Sequence, residues 1–435
     1  MARTAGVVDG NAQEPVAPGP RYRVLAVASH PVQYMSPILR RMAQDPRFDL
    51  QVAYCSLRGA EAGVDPEFGT TVKWDVPLLD GYSWTHIPNR GSGTESFWGL
   101  RNPGLRELIR EGRFDAVLCY LSYRRASFWI AYRAARSAGT AFLFGTDTTT
   151  LEPRDGRTWK VAIKKHLWPH LFRLADQVIV PSSGTLELMR SLGIASDRVT
   201  LTPYCVDNDW WIQQAQLVDR NAVRTSWGAS AEDLVVLFCA KLQPWKRPMD
   251  LLEAFAKANL GRGILVLAGE GPLRTKLEGT ATALGIRERV RFLGFVKQSQ
   301  LPAVYASADV MVLPSSYEPF AVVVNEAMCC GCPVIASDHV GAAKDLIAPF
   351  APELIFASGD VRALAQYLRA MLDDRAKLKA MRQNARERMA AWSPKENLAG
   401  TAEAIEKAVL HRRGRFAGAV PVSAVANSSG IWKSQ

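Results

Sequence analysis

What this chain lacks narrows its class first. Its 435 residues contain no apolar run as long as the roughly 18 residues a membrane span needs. Its start has no charged-then-apolar signal pattern, since residues 11–20 are polar and proline-rich, so a cytoplasmic protein is expected. Cysteine is scarce. The seven cysteines are odd in number and scattered, which argues against a disulfide scaffold. Their one cluster, Cys329, Cys330 and Cys332, lacks a second set of ligands at metal-site spacing and is expected to pack a helix end as small apolar side chains. No Gly-x-Gly-x-x-Gly follows the first strand signal, which disfavours a dinucleotide-dependent oxidoreductase. No aromatic-and-basic nucleic-acid motif accompanies the net charge of +11.

What is present describes an ordinary globular protein, with 48% hydrophobic and 22% charged residues. The length is too great for one core, so two domains are expected. Much of the positive charge lies in 375–388 and 407–415, read here as solvated helix faces. Apolar runs at 23–28, 48–54, 115–120, 141–145, 177–181 and 199–203 read as strands. Helical patterns at 37–44, 105–111, 123–137, 159–173 (amphipathic) and 185–192 alternate with them. The second half repeats the scheme, with strands at 234–240, 264–268, 290–296, 310–313 and 333–336. Such alternation means parallel sheets covered on both faces, with ligands at the carboxyl ends of the strands.

The stretch that organises the chain is 314–337, PSSYEPFAVVVNEAMCCGCPVIAS. It reads as strand end, loop, helix, turn and strand, with Gly331 stopping the helix. Glu318 and Glu326 stand eight residues apart. If the helix starts near Ala321, its first amides face the same space as Glu318, and Glu326 lies about a turn inside. Free amides at a helix start hold a pyrophosphate, and flanking carboxylates accept hydrogen bonds from hydroxyls. That set of groups suits a sugar nucleotide.

The same residues carry a resemblance. Glu-x7-Glu followed by Ala-Met-x-Cys-Gly-x-Pro-Val-Ile-Ala-Ser is similar to the donor-site signature of retaining GT-B fold glycosyltransferases of family 4, the glycosyl transferases group 1. The resemblance implies that Glu326 binds the donor ribose and Glu318 the transferred sugar. It also implies that the backbone of Phe320, Ala321, Val322 and Val323 holds phosphate and sugar. The family usually has glycine where this chain has Ala321, so the donor approaches the backbone less freely here.

Other stretches extend the likeness. Lys241 to Lys246 resembles the segment whose Arg and Lys clasp the donor phosphates, with Lys241 at the Arg position; two cations at a strand's carboxyl end suit a departing diphosphate. Gly269-Glu270-Gly271-Pro272 matches the family's turn beside the nucleotide, and Phe295 and Val296 fall in the segment facing the base. In the first half, His30-Pro31-Val32-Gln33-Tyr34 resembles the opening of a bacterial subset, which points His30 at acceptor or donor phosphate. Asp147 stands where it orients the acceptor hydroxyl or accepts its proton or, equally, caps the next turn. Residues 204–208 resemble the family's inter-domain motif.

The expectation is therefore α/β, GT-B, with two Rossmann-like doubly wound parallel-sheet domains facing a central cleft. A disordered lead is expected over 1–20, an acceptor-binding domain over 21–212 and a nucleotide-sugar-binding domain over 213–395. A helix over 396–413 then crosses back to the first domain, and a disordered tail follows over 414–435. The expected activity is retaining, metal-independent transfer of a sugar from a nucleotide-diphosphate sugar to a glycan or lipid-linked acceptor, in bacterial surface polysaccharide or glycoconjugate synthesis. No cofactor and no nucleic acid are expected, and peripheral contact with the anionic inner membrane face fits the charge. The alternatives are a nonenzymatic sugar-nucleotide-binding partner subunit and a GT-B sugar-nucleotide epimerase.

Overall fold

The computed structural model describes residues 20–417, apart from 61–62, 66–69, 73 and 154–155. The lead expected over 1–20 and most of the tail expected over 414–435 lie outside the described residues. The last helix runs Pro394–Ala417, past the end expected for it at 413.

The first half supplies β1 (Tyr22–Ala28), β2 (Phe48–Tyr54), β3 (Gly63–Asp65), β4 (Thr70–Val72), β5 (Ser83–His86), β6 (Ala116–Cys119), β7 (Ala141–Gly145), β8 (Gln177–Val180) and β9 (Val199–Leu201). Seven of them form one parallel sheet, ordered β5-β2-β1-β6-β7-β8-β9, while β3 and β4 make an antiparallel hairpin. The second half supplies β10 (Leu234–Cys239), β11 (Gly263–Ala268), β12 (Val290–Gly294), β13 (Val310–Leu313), β14 (Val334–Ser337) and β15 (Ile355–Phe356). They form a parallel sheet ordered β12-β11-β10-β13-β14-β15. The chain therefore has the two-domain Rossmann-like architecture.

Period-two alternation sorts the first core. Val24, Ala26 and Ala28 of β1 face one side of the sheet, and Leu25 and Val27 face the other with Phe128, Phe142 and Phe144. The last helix fills the first side with Ala404, Ile405, Ala408 and Val409. Gly400 is what lets it sit so close, since a Cβ there would lie 2.2 Å from the Leu201 carbonyl oxygen. Every side chain of β10 and β11 is buried, as expected for central strands covered on both faces. Each such Val or Leu contributes about 1.5–3 kcal/mol of burial.

The boundary expected at 212 falls inside the helix Asn208–Gln216, whose Trp211 packs on Tyr305 of the second core. The basic runs are solvated in part, with Lys377, Lys379, Arg386 and Arg413 exposed. Arg388 donates to the Asp345 carbonyl at 2.9 Å and covers the Trp392 ring, and Arg412 is buried against Asp176. No described helix is long and apolar enough to cross a membrane.

Strand order places the sites. In each sheet the direction of winding reverses at one seam, between β1 and β6 in the first and between β10 and β13 in the second. The crevice outside the carboxyl ends of the strands at such a seam is where ligands bind in open α/β sheets.

Candidate active site

At the second seam the loops leaving β10 and β13 meet. The first carries Lys241 at the strand's end and Lys246 at the close of the one-turn 3-10 helix Pro244–Lys246. The second carries Glu318. Lys246 Nζ donates to Glu318 Oε2, joining positions 72 residues apart. Both side chains are mostly covered, so each charge needs the other while no ligand is present. The Glu318 segment is held by the chain after β14. Glu318 N donates to the His339 carbonyl at 3.1 Å, Gly341 N to that of Glu318 at 2.9 Å and Ala342 N to that of Phe320 at 2.8 Å. Gly341 has no room for a side chain, since a Cβ would lie 2.0 Å from the Pro319 carbonyl oxygen.

The helix Val322–Cys329 starts directly beyond. Its first-turn amides, at Val322 and Val323, have no intrahelical acceptor and form the positive end of its dipole. Its cap, Ala321, has φ +86°, a left-handed conformation that costs an L-residue of order 1–2 kcal/mol. Glycine would adopt it freely. Phe320 is buried, and its ring packs edge-on against Tyr204 and stacks on Trp392 at 6.4 Å. What Phe320 can offer a ligand is therefore backbone.

One turn into that helix, Glu326 is only 7% exposed. It accepts a hydrogen bond from Tyr305 Oη at 2.8 Å. Burial pushes its carboxyl up to about 7, and the Tyr305 bond partly offsets that. Glu326 lines a small cavity with Gln33, Tyr34 and Arg40 of the first domain and Gln298 of the second. Nearby, Gly269 (φ +147°) and Gly271 (φ +153°) let the loop after β11 pack onto the loop after β10. A Cβ on either would strike the Ala240 or Leu242 carbonyl oxygen, at 2.0 and 2.7 Å. Leu242 N donates to the Glu270 carbonyl at 2.8 Å, which locks the two loops together and sets Lys241 beside the turn. The Phe295 ring faces Trp74 of the first domain at 6.3 Å, and Val296 packs on the second core. Ser299 bonds Asp75 beside them, while Lys344 pairs with Glu187 at 2.5 Å and Ser183 N donates to Asp345 at 3.1 Å. The two domains are thus tied together at several places around the cleft.

At the first seam a cavity of about 440 Å³ opens. Asp147 lines it with Tyr34, Tyr120, Tyr123, Arg124, Lys164 and Trp168, and Tyr317 of the second domain closes one side. The Tyr34 hydroxyl is pushed up to about 12, by burial first and then by the Asp147 carboxylate. Tyr34 contacts Tyr204 at 6.1 Å, and Tyr204 contacts Phe320, so an aromatic column runs from one seam to the other. His30 is half-buried on the loop after β1, with Nδ1 2.9 Å from Ser29 Oγ. Burial, and then the Arg58 charge, hold its imidazole below the usual histidine range. Tyr34, not His30, is the residue by which this loop reaches both cavities.

Glu318, Lys246, Lys241 and the 320–323 backbone thus gather at one seam, with Glu326 behind them, while Asp147 stands at the other. Sequence reasoning missed Tyr305, Trp74 and the aromatic lining of the first cavity. It also overlooked one Asp-x-Asp pair, Asp207 and Asp209, when no metal was expected. Both of these carboxylates engage Arg41, at 2.6 and 2.7 Å. No cluster of three or more metal-ligating side chains occurs among the described residues.

Comparison with known proteins agrees with this architecture. The family described as glycosyl transferases group 1 matches residues 219–388, and the glycosyl transferase 4-like domain matches 72–205. A GDP-mannose-dependent alpha-mannosyltransferase of Mycobacterium tuberculosis is 30% identical over 287 residues, 65% of this chain and 71% of that protein. A D-inositol 3-phosphate glycosyltransferase of Nocardia farcinica is 31% identical over 254 residues, 56% of this chain and 55% of that protein. An uncharacterised glycosyltransferase of Methanocaldococcus jannaschii is 41% identical, but the match spans 28% of this chain and 32% of that one. Among solved structures, Anabaena HepE in complex with UDP and glucose superposes with a TM-score of 0.66, at 18% identity over 89% of this chain and 100% of that one. Fold, seams and family matches agree: the chain belongs to the glycosyl transferases group 1 and has the GT-B fold.

Proposed function

We propose that this protein is a retaining, metal-independent glycosyltransferase. It moves a sugar from a nucleotide-diphosphate sugar to a glycan or lipid-linked acceptor in surface polysaccharide or glycoconjugate synthesis. The observation that carries this reading is the Lys246–Glu318 pair beside the open start of the Val322–Cys329 helix, with Glu326 one turn within. Anion, hydroxyls and ribose each meet the chemistry they need. The diphosphate displaces Glu318 from Lys246 and takes that ammonium, Lys241 and the amides of Val322 and Val323. Glu318, released, accepts from sugar hydroxyls, and Glu326 accepts from the ribose. Solved neighbours support a nucleotide sugar, since HepE was crystallised with UDP, with UDP and glucose, and with UDP-glucose.

The acceptor enters the first-seam cavity, where Asp147 and Tyr34 orient its hydroxyl. The bond from the sugar's anomeric carbon to the diphosphate oxygen breaks, and the acceptor oxygen bonds to the same face. The acceptor proton passes to the departing diphosphate. Cations and amides stabilise that charge as it develops, which is the electrostatic work a metal does in other sites. Packing the domains around the cleft excludes water that would hydrolyse the donor.

The test is transfer from a nucleotide-sugar panel to glycan acceptors in the presence of EDTA, with the product anomer read by NMR. Retained configuration and undiminished rate are expected. An inverted product, or activity abolished by chelation, contradicts the mechanism. One observation favours a second reading, a binding subunit without turnover: the Ala321 Cβ stands where glycine would leave the donor more room. Nucleotide-sugar binding with no product over the whole panel selects that reading.

A further inference from the structure

The helix Trp159–Phe172 departs from the amphipathic pattern expected of it, because it is apolar on two sides. On its inner side Trp168 and Phe172 are buried, Trp168 Nε1 donating to Tyr123 Oη at 3.1 Å and Phe172 stacking on Phe144 at 5.5 Å. On its outer side Trp159, Ile163 and Leu167 recur every fourth residue and so share one face. They are 57%, 46% and 54% exposed. Along the helix itself the charge has one sign. From 156 to 175 the chain carries five Lys or Arg and no Asp or Glu. Lys165 is exposed beside the stripe, and Lys160 Nζ lies 5.8 Å from the Trp159 ring centroid.

We propose that this face docks on an anionic lipid bilayer, with the helix lying along the membrane surface. Tryptophan and aliphatic side chains on one face, flanked by lysines, are what an interfacial helix presents to the boundary between headgroups and acyl chains. The lysine stems cover apolar surface while their ammonium groups reach anionic headgroups. A second copy of the chain fits this face poorly, because pairing it with itself sets cations against cations. Lys164 and Trp168 of the same helix line the first-seam cavity, so docking brings that cavity to the membrane. Given the transferase reading, on which this point alone rests, the acceptor is one presented on a lipid at the bilayer surface.

The experiment is cosedimentation of the full chain with vesicles of phosphatidylcholine, alone or with about 30% phosphatidylglycerol. Binding is expected to the mixed vesicles, weakly if at all to the neutral ones, and to fall as salt rises. The combined variant Trp159→Ser, Ile163→Ser, Leu167→Ser should partition about ten-fold more weakly. In case that variant folds poorly, Lys165→Glu reverses an exposed charge beside the stripe and should also weaken anionic binding. Equal binding to neutral vesicles, or wild-type binding by the correctly folded variants, overturns the proposal. So does a stripe-dependent dimer in light scattering with no vesicle binding. The assay needs neither donor nor acceptor. Failed vesicle binding with intact transfer to a soluble acceptor therefore sinks only this inference, and the reverse result sinks only the transferase reading.

Discussion

The two sheets open at the same kind of seam, yet they build different sites there. At the second seam main-chain geometry does the holding, through an open helix start, a left-handed cap at Ala321 and two positive-φ glycines that lock adjacent loops. Only a few charged side chains are added, Lys246, Lys241, Glu318 and Glu326. At the first seam side chains from scattered loops line an aromatic cavity around Asp147. The contrast suits a donor whose diphosphate is constant and an acceptor that differs between relatives on one fold. It also predicts how the two seams respond to change.

The largest effect should come from the cation at the second seam. Lys246→Ala should lower transfer about 100- to 1000-fold with every acceptor tried, because charge stabilisation of the leaving group is lost whatever the nucleophile. A loss confined to one acceptor would break the division of labour. Next, Glu326→Ala should raise the donor KM by about ten-fold or more and leave the acceptor KM alone, since two hydroxyl partners are lost.

Glu326 also gives that seam a pH signature. Its carboxyl is pushed up to about 7, by burial first and against the opposing Tyr305 bond. The folded state thus holds the proton to higher pH than the unfolded state, whose carboxyl titrates near its ordinary value of 4.5. Its stabilising contribution is complete below that value and is lost as pH rises through about 7. The melting temperature of the unliganded protein should therefore carry a downward slope from about pH 5 to 8, which Glu326→Gln flattens. Donor affinity should move the other way, rising over the same range as the accepting carboxylate forms, and Glu326→Gln should remove that rise too.

A smaller effect is expected at the first seam. Asp147→Asn or Tyr34→Phe should raise the acceptor KM roughly ten-fold, with donor binding unchanged by calorimetry. Smallest of all, Ala321→Gly should raise the unfolding free energy from urea titration by up to about 1 kcal/mol, since it relieves the left-handed strain but adds unfolded-state freedom.

The same contrast explains what could be read from the chain alone. A backbone cradle must be written in contiguous residues, so 314–337 announced its helix start, its stop at Gly331 and its two acids. Strands Ala141–Gly145 and Val310–Leu313 were also legible to the residue, because unbroken apolar runs mark buried parallel strands, and so was Phe48–Tyr54, where Asp49 and Gln51 alternate with apolar residues. Short, exposed Ser83–His86 gave no such signal, nor did the hairpin of Gly63–Asp65 and Thr70–Val72. The aromatic cavity was illegible for a different reason. Tyr34, Tyr120, Trp168 and Tyr317 come from four separate segments, and only the sheet order brings them together. Tyr305 could not be paired with Glu326 beforehand, because a tyrosine in an apolar helix looks like core until its hydroxyl finds a carboxylate. Within the basic runs Arg388 and Arg412 were illegible for the same reason, since they turn inward to partners distant in sequence.

The central claim is that the second seam by itself grips an activated nucleotide. Titration calorimetry with UDP, GDP, ADP and dTDP tests it most directly, on the wild type and on Lys246→Ala, Glu326→Ala and Asp147→Asn. At least one diphosphate should bind the wild type and Asp147→Asn alike, while Lys246→Ala and Glu326→Ala weaken it about ten-fold or more. Binding that survives both second-seam changes, or that falls with Asp147→Asn instead, would contradict the account.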